Sequence, residues 1–283
     1  MWSARRLCLA LSVGLLLAVF GCDGEDPAST NAADPGVSRP LIVVGTSMVQ
    51  CAVRDLAGDA VRIHTLGPPG QCPGHFDLKP ADFHAIAAAD VLLRHDYQSQ
   101  YDEKLGAIGG VPRIVELPTT GPQTMPGNYV KLCELVAERL AEVQPALAET
   151  VGSRLAEVSA AEGELAASVH GRAAALAGKP VIASSLQKEF CQWLGLRVVG
   201  EFDRADDMSL KQLAALVQAG RAHNVAAVVA NLQRGEHEGR PIAERLGVPL
   251  VLLSNFPLHP EEPGGHALLV RRNVEKLLEV CVE

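Results

Sequence analysis

A histidine and a cysteine share one short loop, with a spacing that could bind a transition metal. His75 follows Cys72 by three residues in a stretch rich in glycine and proline, residues 67–79. Imidazole nitrogen and thiolate sulfur are ligands that zinc and copper prefer, and a loop can present both groups to one ion. We therefore predict that His75 and Cys72 ligate a metal. The alternative is a surface histidine beside a structural cysteine.

Three more side chains could complete this site. His95 stands at the carboxyl end of a predicted strand, and the neighbouring Asp96 could orient it or act as another ligand. His259 follows a later predicted strand and a turn. Cys51 lies one turn into the first predicted helix, and it is a lesser candidate because such cysteines are usually small core residues. Each histidine could equally be a solvated surface residue.

A polar segment after another predicted strand indicates a pocket for an organic ligand. Asn231 and Gln233 offer amide groups that could hydrogen-bond such a ligand or support the residues around a metal, and Arg234 follows them. His237 lies between two glutamates, which would also attract a cation. The alternative interpretation is a solvated loop.

Short apolar strands alternate with helices along the chain, which predicts an α/β fold with largely parallel sheets. One such series occupies residues 41–144, and a second occupies residues 180–283. Between them, residues 145–179 are rich in Ala, Glu and Leu and predict one long helix. We therefore expect two (β/α) lobes joined by one long rigid helix. The carboxyl ends of the strands should face a ligand cleft between the lobes.

The first residues carry a processing signal. Two arginines precede an apolar run that is too short to span a bilayer, so residues 1–21 are predicted to be a signal peptide. The sequence VFGC that ends at Cys22 resembles a bacterial lipobox, in which the cysteine is lipidated. Residues 22–40 would then be a tether to a membrane in the periplasm or on the cell surface. The alternative is plain secretion with an incidental cysteine.

The overall charge excludes a nucleic-acid partner. The chain carries 33 acidic and 25 basic residues, a formal net charge of -8, whereas phosphate binding needs clustered Lys and Arg. The hydrolase, metalloprotease and phosphate-loop motifs GxSxG, HExxH and GxxxxGK are absent from the sequence, and so is a glycine-rich Rossmann turn. We therefore predict a binding protein and not an enzyme, and we expect a monomer.

Five segments of the chain share one family pattern. They are IVVGTS at 42–47, GPPGQCPGHFDLKPAD at 67–82, AADVLL at 88–93, the long central helix, and a final helix that contains Arg272 and Asn273. Together they resemble the substrate-binding lipoproteins of zinc and manganese ABC transporters, over nearly the whole mature chain. The resemblance implies two lobes on a long helix, with four ligands, mostly His with an Asp or Glu, that hold a divalent metal in the cleft.

The resemblance carries over only part of the family's ligand set. The first histidine of the family corresponds to His75, with Gly74 inserted before it. The second ligand segment is Met125-Pro-Gly-Asn128 here and contains no histidine. The third ligand falls near Ser184, which we take as a pocket residue, and the fourth falls near His259. The resemblance therefore implies a divergent site, in which mixed His and Cys ligation replaces the family's histidines.

The function implied by the resemblance is the capture of a metal ion outside the cytoplasm and its delivery to an ABC importer permease in the inner membrane. Sulfur ligation favours zinc, with copper possible and manganese less favoured. A second hypothesis is a degenerate paralogue that binds a metal chelate or a small organic ligand through Asn231, Gln233 and Arg234. A third is a structural lipoprotein with no role in transport.

Overall fold

The computed structural model of the chain describes residues 39–73, 77–102, 113–204 and 208–282. Within these ranges two sheets of four strands each are connected by helices, and all strand pairs are parallel. The predicted α/β class with two lobes is confirmed. None of the helices in these ranges combines the length and apolarity that a membrane crossing needs. The predicted signal peptide and Cys22 lie outside the described residues.

The N-terminal lobe begins with a strand and a capped helix. The hydroxyl of Thr46 accepts a hydrogen bond from the amide of Val49 at 3.3 Å, which satisfies one free amide of the first helical turn. The strand order of the lobe is β2-β1-β3-β4. Its elements are β1 (Leu41–Val44), α1 (Ser47–Ala57), β2 (Arg62–Thr65), α2 (Pro80–Ala87), β3 (Val91–His95), β4 (Arg113–Leu117) and α3 (Pro126–Val143).

The C-terminal lobe repeats this arrangement, because its strand order β6-β5-β7-β8 has the same topology. Its elements are β5 (Pro180–Ser184), α5 (Ser185–Trp193), β6 (Arg197–Phe202), α6 (Leu210–His223), β7 (Ala227–Asn231), α7 (Arg240–Leu246), β8 (Leu250–Leu253) and α8 (Gly265–Val282). Successive side chains of β5 point to opposite faces of the sheet: Val181 and Ala183 belong to one core cluster and Ile182 belongs to another. The sheet is therefore buried on both faces.

One long helix, α4 (Ala148–Ala173), connects the two lobes. It packs on α1 and α3 of the first lobe and on α8 of the second. The sequence predicts one helix over residues 145–179, and the structure shortens it at both ends. Pro145 opens a separate 3-10 turn, and the chain leaves the helix through another such turn before Gly178, whose φ is 73°.

A buried polar network ties the central helix to the last helix and to the cleft. His266 on α8 lies 2.9 Å from Glu162 on α4, and its Nε2 donates to the carbonyl oxygen of Gln123 at 2.9 Å. Its ring stacks on Tyr129, with centroids 3.9 Å apart, and the Tyr129 hydroxyl donates to Asp55 at 2.6 Å. Because these residues come from both lobes and from the helix between them, the network holds the lobes in a fixed relation.

Candidate functional site

A cleft of about 600 Å³ lies between the lobes, where the carboxyl ends of both sheets meet. Its lining residues come after β2, β3 and β4 in the first lobe and from the ends of all four strands in the second, and open α/β sheets bind their ligands at the carboxyl ends of their strands. The cleft predicted between the lobes is thereby confirmed. The residues that line it include Cys72, Pro73, Tyr97, Gln100 and Thr119 from the first lobe, and Ser185, Glu189, Arg204, Asn231, Gln233, Arg234 and Asn255 from the second.

Gln98 fixes the rim of the cleft on the side of the first lobe. Its side chain is buried, and its Nε2 donates to the carbonyl oxygens of Gly45 at 3.1 Å and of Pro73 at 3.4 Å. Its Oε1 accepts from the amide of His95 at 3.1 Å. The segment that carries Cys72 is therefore attached to the ends of β1 and β3 through one amide side chain.

His95, a predicted ligand, is fully buried at the end of β3. Its Nε2 lies 3.3 Å from the hydroxyl of Thr46, and its ring stacks on Tyr97, which lines the cleft. Burial lowers the pKa of His95 to about 4, so that the imidazole is neutral at neutral pH. Asp96, predicted to orient His95 or to bind metal, accepts from the hydroxyl of Thr119 at 2.8 Å and holds the chain after β4.

Asn231 and Gln233, the predicted pocket residues, do line the cleft. Asn231 ends β7, is fully buried, and accepts from the amide of Arg234 at 3.1 Å. Gln233 donates from Nε2 to the Ser254 hydroxyl at 2.8 Å and to the carbonyl oxygen of Pro69 in the other lobe at 3.4 Å. Gln233 thus connects the loop of residues 67–73 to the C-terminal lobe across the cleft.

Ser184, predicted as a pocket residue, is the last residue of β5 and directly precedes α5. Its side chain is fully buried, its hydroxyl has no hydrogen-bond partner, and it makes no side-chain cap on the helix. Ser185, the next residue, lines the cleft and donates its hydroxyl to Asp203. The first turn of α5 therefore faces the ligand site with its backbone amides uncapped by a side chain.

The charges at the cleft are mixed. Arg204 and Arg234 line it from the second lobe, together with Glu189. The nearest carboxylate oxygen of Asp203 is 3.8 Å from Arg234, and Asp203 is itself mostly exposed, so this ion pair is a weak one. The second lobe therefore lines the cleft with two guanidinium groups and the carboxylate of Glu189.

Two predicted metal ligands lie away from the cleft. Cys51 is buried in the core of the first lobe beside Gly265 of α8, and burial raises the pKa of its thiol well above the ordinary value, which disfavours the ligating thiolate. His259 is exposed in a turn with Glu261 and Glu262, where one ligand atom from each lies within 4.8 Å of the others. Among the residues that the structure describes, three such ligand atoms converge at this turn and nowhere in the cleft.

The two remaining predicted ligands, His75 and Cys72, differ in whether the structure describes them. His75 lies outside the described residues, whereas Cys72 lines the cleft as expected. Sequence reasoning missed Gln98, Arg204 and Asn255. Their positions directly after strands β3, β6 and β8 were the available signal, because the carboxyl ends of parallel strands meet at one edge.

Residues 42–118 and 124–280 match the family described as "Zinc-uptake complex component A periplasmic". The chain belongs to this family. Its members are periplasmic metal-binding proteins that serve ABC transporters, which confirms the resemblance carried by the five sequence segments. No curated protein matches the chain significantly.

Solved structures share the fold of this family member at low sequence identity. A crystal structure of ZnuA superposes with a TM-score of 0.73 at 16% identity, over 86% of this chain and 100% of that one. A zinc-bound deletion mutant of ZnuA gives 0.71 at 18% identity, over 86% and 98%. The Mn-bound S38A mutant of a periplasmic metal binding protein from Candidatus Liberibacter asiaticus gives 0.71 at 13% identity, over 86% and 99%.

Proposed function

We propose that the protein captures a transition metal ion, zinc in preference to copper or manganese, in the cleft between its lobes and delivers it to an ABC importer permease. The observation that carries this proposal is the match of both lobes to a periplasmic zinc-uptake family, together with a cleft at the carboxyl ends of both sheets. The solved relatives include a zinc-bound, a manganese-bound and a cadmium-bound protein, which supports a transition metal as cargo.

The proposed ligands come from the rim of the first lobe. Cys72 lines the cleft, and His75 follows it by three residues in the sequence. Sulfur ligation favours zinc or copper(I) over manganese, because soft thiolates bind soft or borderline ions better than hard ones. We propose further that the chain acts as a monomeric binding protein outside the cytoplasm, held at a membrane through lipidated Cys22.

Metal titration of the purified full chain under reducing conditions tests this proposal. We expect one equivalent of zinc to bind with sub-micromolar affinity, copper(I) to compete and manganese to bind much more weakly. His75→Ala and Cys72→Ser should each weaken zinc binding by about tenfold or more, since each removes one of a small number of ligands. His84→Ala, which removes an exposed histidine on α2, is the matched control and should leave the affinity unchanged.

A second candidate function is the binding of a small organic ligand or a metal chelate. The mixed polar lining from Asn231, Gln233, Asn255 and Arg234 favours it, because amides and guanidinium groups recognise organic polar atoms. If zinc, copper(I) and manganese all fail to bind the reduced protein, the first proposal is wrong and this candidate replaces it.

A further inference from the structure

Four buried polar atoms near the carboxyl end of the second sheet make no hydrogen bond within the protein. They are Ser184 Oγ, Gln187 Oε1, Arg234 Nη1 and Glu238 Oε2. Buried polar atoms nearly always have a hydrogen-bond partner, and each exception calls for an explanation. Ser184 ends β5, and Gln187 lies in the first turn of α5. Arg234, which lines the cleft, and Glu238, in a 3-10 turn, lie in the segment after β7. Their grouping points to a bound polar species.

The first turn of α5 gives this region the character of an anion site. The helix is nine residues long and begins at Ser185, which lines the cleft. The positive end of its dipole and its first amides face the cleft without a side-chain cap. Ser184, immediately before the helix, is fully buried, and its hydroxyl makes no hydrogen bond within the protein.

Two arginines stand at the same end of the sheet. Arg234 and Arg204 line the cleft. The Nη1 atom of Arg234 is buried without a hydrogen bond, and its one ion pair is the 3.8 Å contact with the exposed carboxylate of Asp203, which also accepts the Ser185 hydroxyl. A guanidinium group binds a carboxylate through two parallel hydrogen bonds, whereas it repels a bare metal cation. The second-lobe half of the cleft therefore offers two guanidinium groups to a carboxylate, beside the protein's own carboxylates of Glu189 and Asp203.

We propose that the C-terminal half of the cleft is a carboxylate-binding subsite, and that the cargo is a transition metal ion in complex with a small carboxylate-bearing chelator. Arg234 and the first turn of α5 bind the carboxylate, and the metal faces the rim that carries Cys72. That the cargo contains a metal ion rests on the proposed function. The carboxylate subsite stands on Ser184, Arg234 and α5 alone.

Calorimetric titration of the purified full chain under reducing conditions tests the subsite. The probes are zinc alone, citrate alone and a preformed one-to-one zinc–citrate complex. The variants are Arg234→Gln, Ser184→Ala and, as a matched control, Arg245→Gln, which removes an exposed guanidinium of α7 outside the cleft. Thermal unfolding of each variant shows whether it folds; Ser184→Ala should keep the wild-type midpoint, since the hydroxyl it removes has no partner.

The expected result is that zinc–citrate binds about tenfold or more tightly than zinc alone, because it adds hydrogen bonds to a charged group. Arg234→Gln should abolish this difference, Ser184→Ala should reduce it, and Arg245→Gln should preserve it. An Arg234→Gln variant that binds zinc–citrate as tightly as wild type overturns the subsite. Zinc alone binding as tightly as zinc–citrate overturns it as well.

The failures of the two proposals are distinguishable. If citrate binds alone in an Arg234-dependent manner and zinc adds nothing, the carboxylate subsite stands and the metal-capture function is wrong. If zinc binds at one equivalent and citrate has no effect, metal capture stands and the subsite is wrong. If none of the three probes binds, both are wrong.

Discussion

Gly45 packs against Gln98, the side chain that supports the rim of the cleft, and leaves no room for a Cβ atom. Replacing Gly45 by alanine is therefore expected to loosen that rim. A Cβ atom at position 45 would lie 2.3 Å from the Oε1 atom of Gln98, far inside the contact distance. The side chain of Gln98 would have to withdraw from its three partners, the amide of His95 and the carbonyl oxygens of Gly45 and Pro73. At about 1 kcal/mol net for each hydrogen bond, Gly45→Ala should cost about 2 to 3 kcal/mol of unfolding free energy.

A double-mutant cycle measured by urea denaturation tests this assignment. Gln98→Ala should cost a similar amount, because it loses the same hydrogen bonds. In the Gln98→Ala background the new methyl group has space, so Gly45→Ala should cost less than about 0.5 kcal/mol and the two substitutions should be strongly coupled. Gly152→Ala in the exposed helix α4, where a Cβ meets nothing within 4 Å, is the control and should stabilise by about 0.5 to 1 kcal/mol. Additive costs for Gly45→Ala and Gln98→Ala would refute the reasoning.

Three further predictions concern acid, the network between lobes and one turn. Between pH 6.5 and about 4 the unfolded chain binds a proton at His95 that the folded chain does not. Acidification from pH 7 to 5 should therefore lower the unfolding free energy of the metal-free wild type by about 2 kcal/mol more than that of His95→Asn. Equal pH profiles of the two proteins in chelator-treated samples would contradict this. Glu162→Ala should lower the unfolding free energy by about 3 kcal/mol in denaturant titrations, because alanine leaves buried His266 without its partner. Glu162→Gln should lower it clearly less, and equal losses for the two variants would argue against the network. Asn224→Ala should lower stability by about 1 kcal/mol and Asn224→Gly should not, since φ is 48° there; thermal unfolding of both variants decides.

The sequence predicted the fold well because periodicity and composition are local signals. Apolar runs marked the strands, and the helix-forming composition of residues 145–179 marked the long connection. The ends of elements were less well predicted: the helix expected over residues 145–179 begins at Ala148 and stops at Ala173. Proline and glycine geometry in the folded chain decides such boundaries, and the composition of a window does not resolve it.

The candidate site was predictable only in part, because its contacts join residues distant in sequence. Asn231 ends strand β7 and Gln233 follows it, and that position places both at the cleft. Gln98 was not foreseen, since its role depends on contacts with residues more than twenty positions away, such as Pro73. The metal ligands among His75, Cys72, His95 and His259 remain predictions. The sequence shows donor chemistry, whereas ligation requires convergence in space.

The measurement that tests the central claim most directly is the position of zinc in crystals of the full chain grown with the metal, located by anomalous diffraction at the zinc edge. The proposed function predicts one strong peak in the cleft between the lobes, about 2.0 to 2.3 Å from the Cys72 sulfur and a His75 nitrogen. A peak confined to the exposed turn of His259, Glu261 and Glu262, or no peak at all, would contradict metal capture in the cleft.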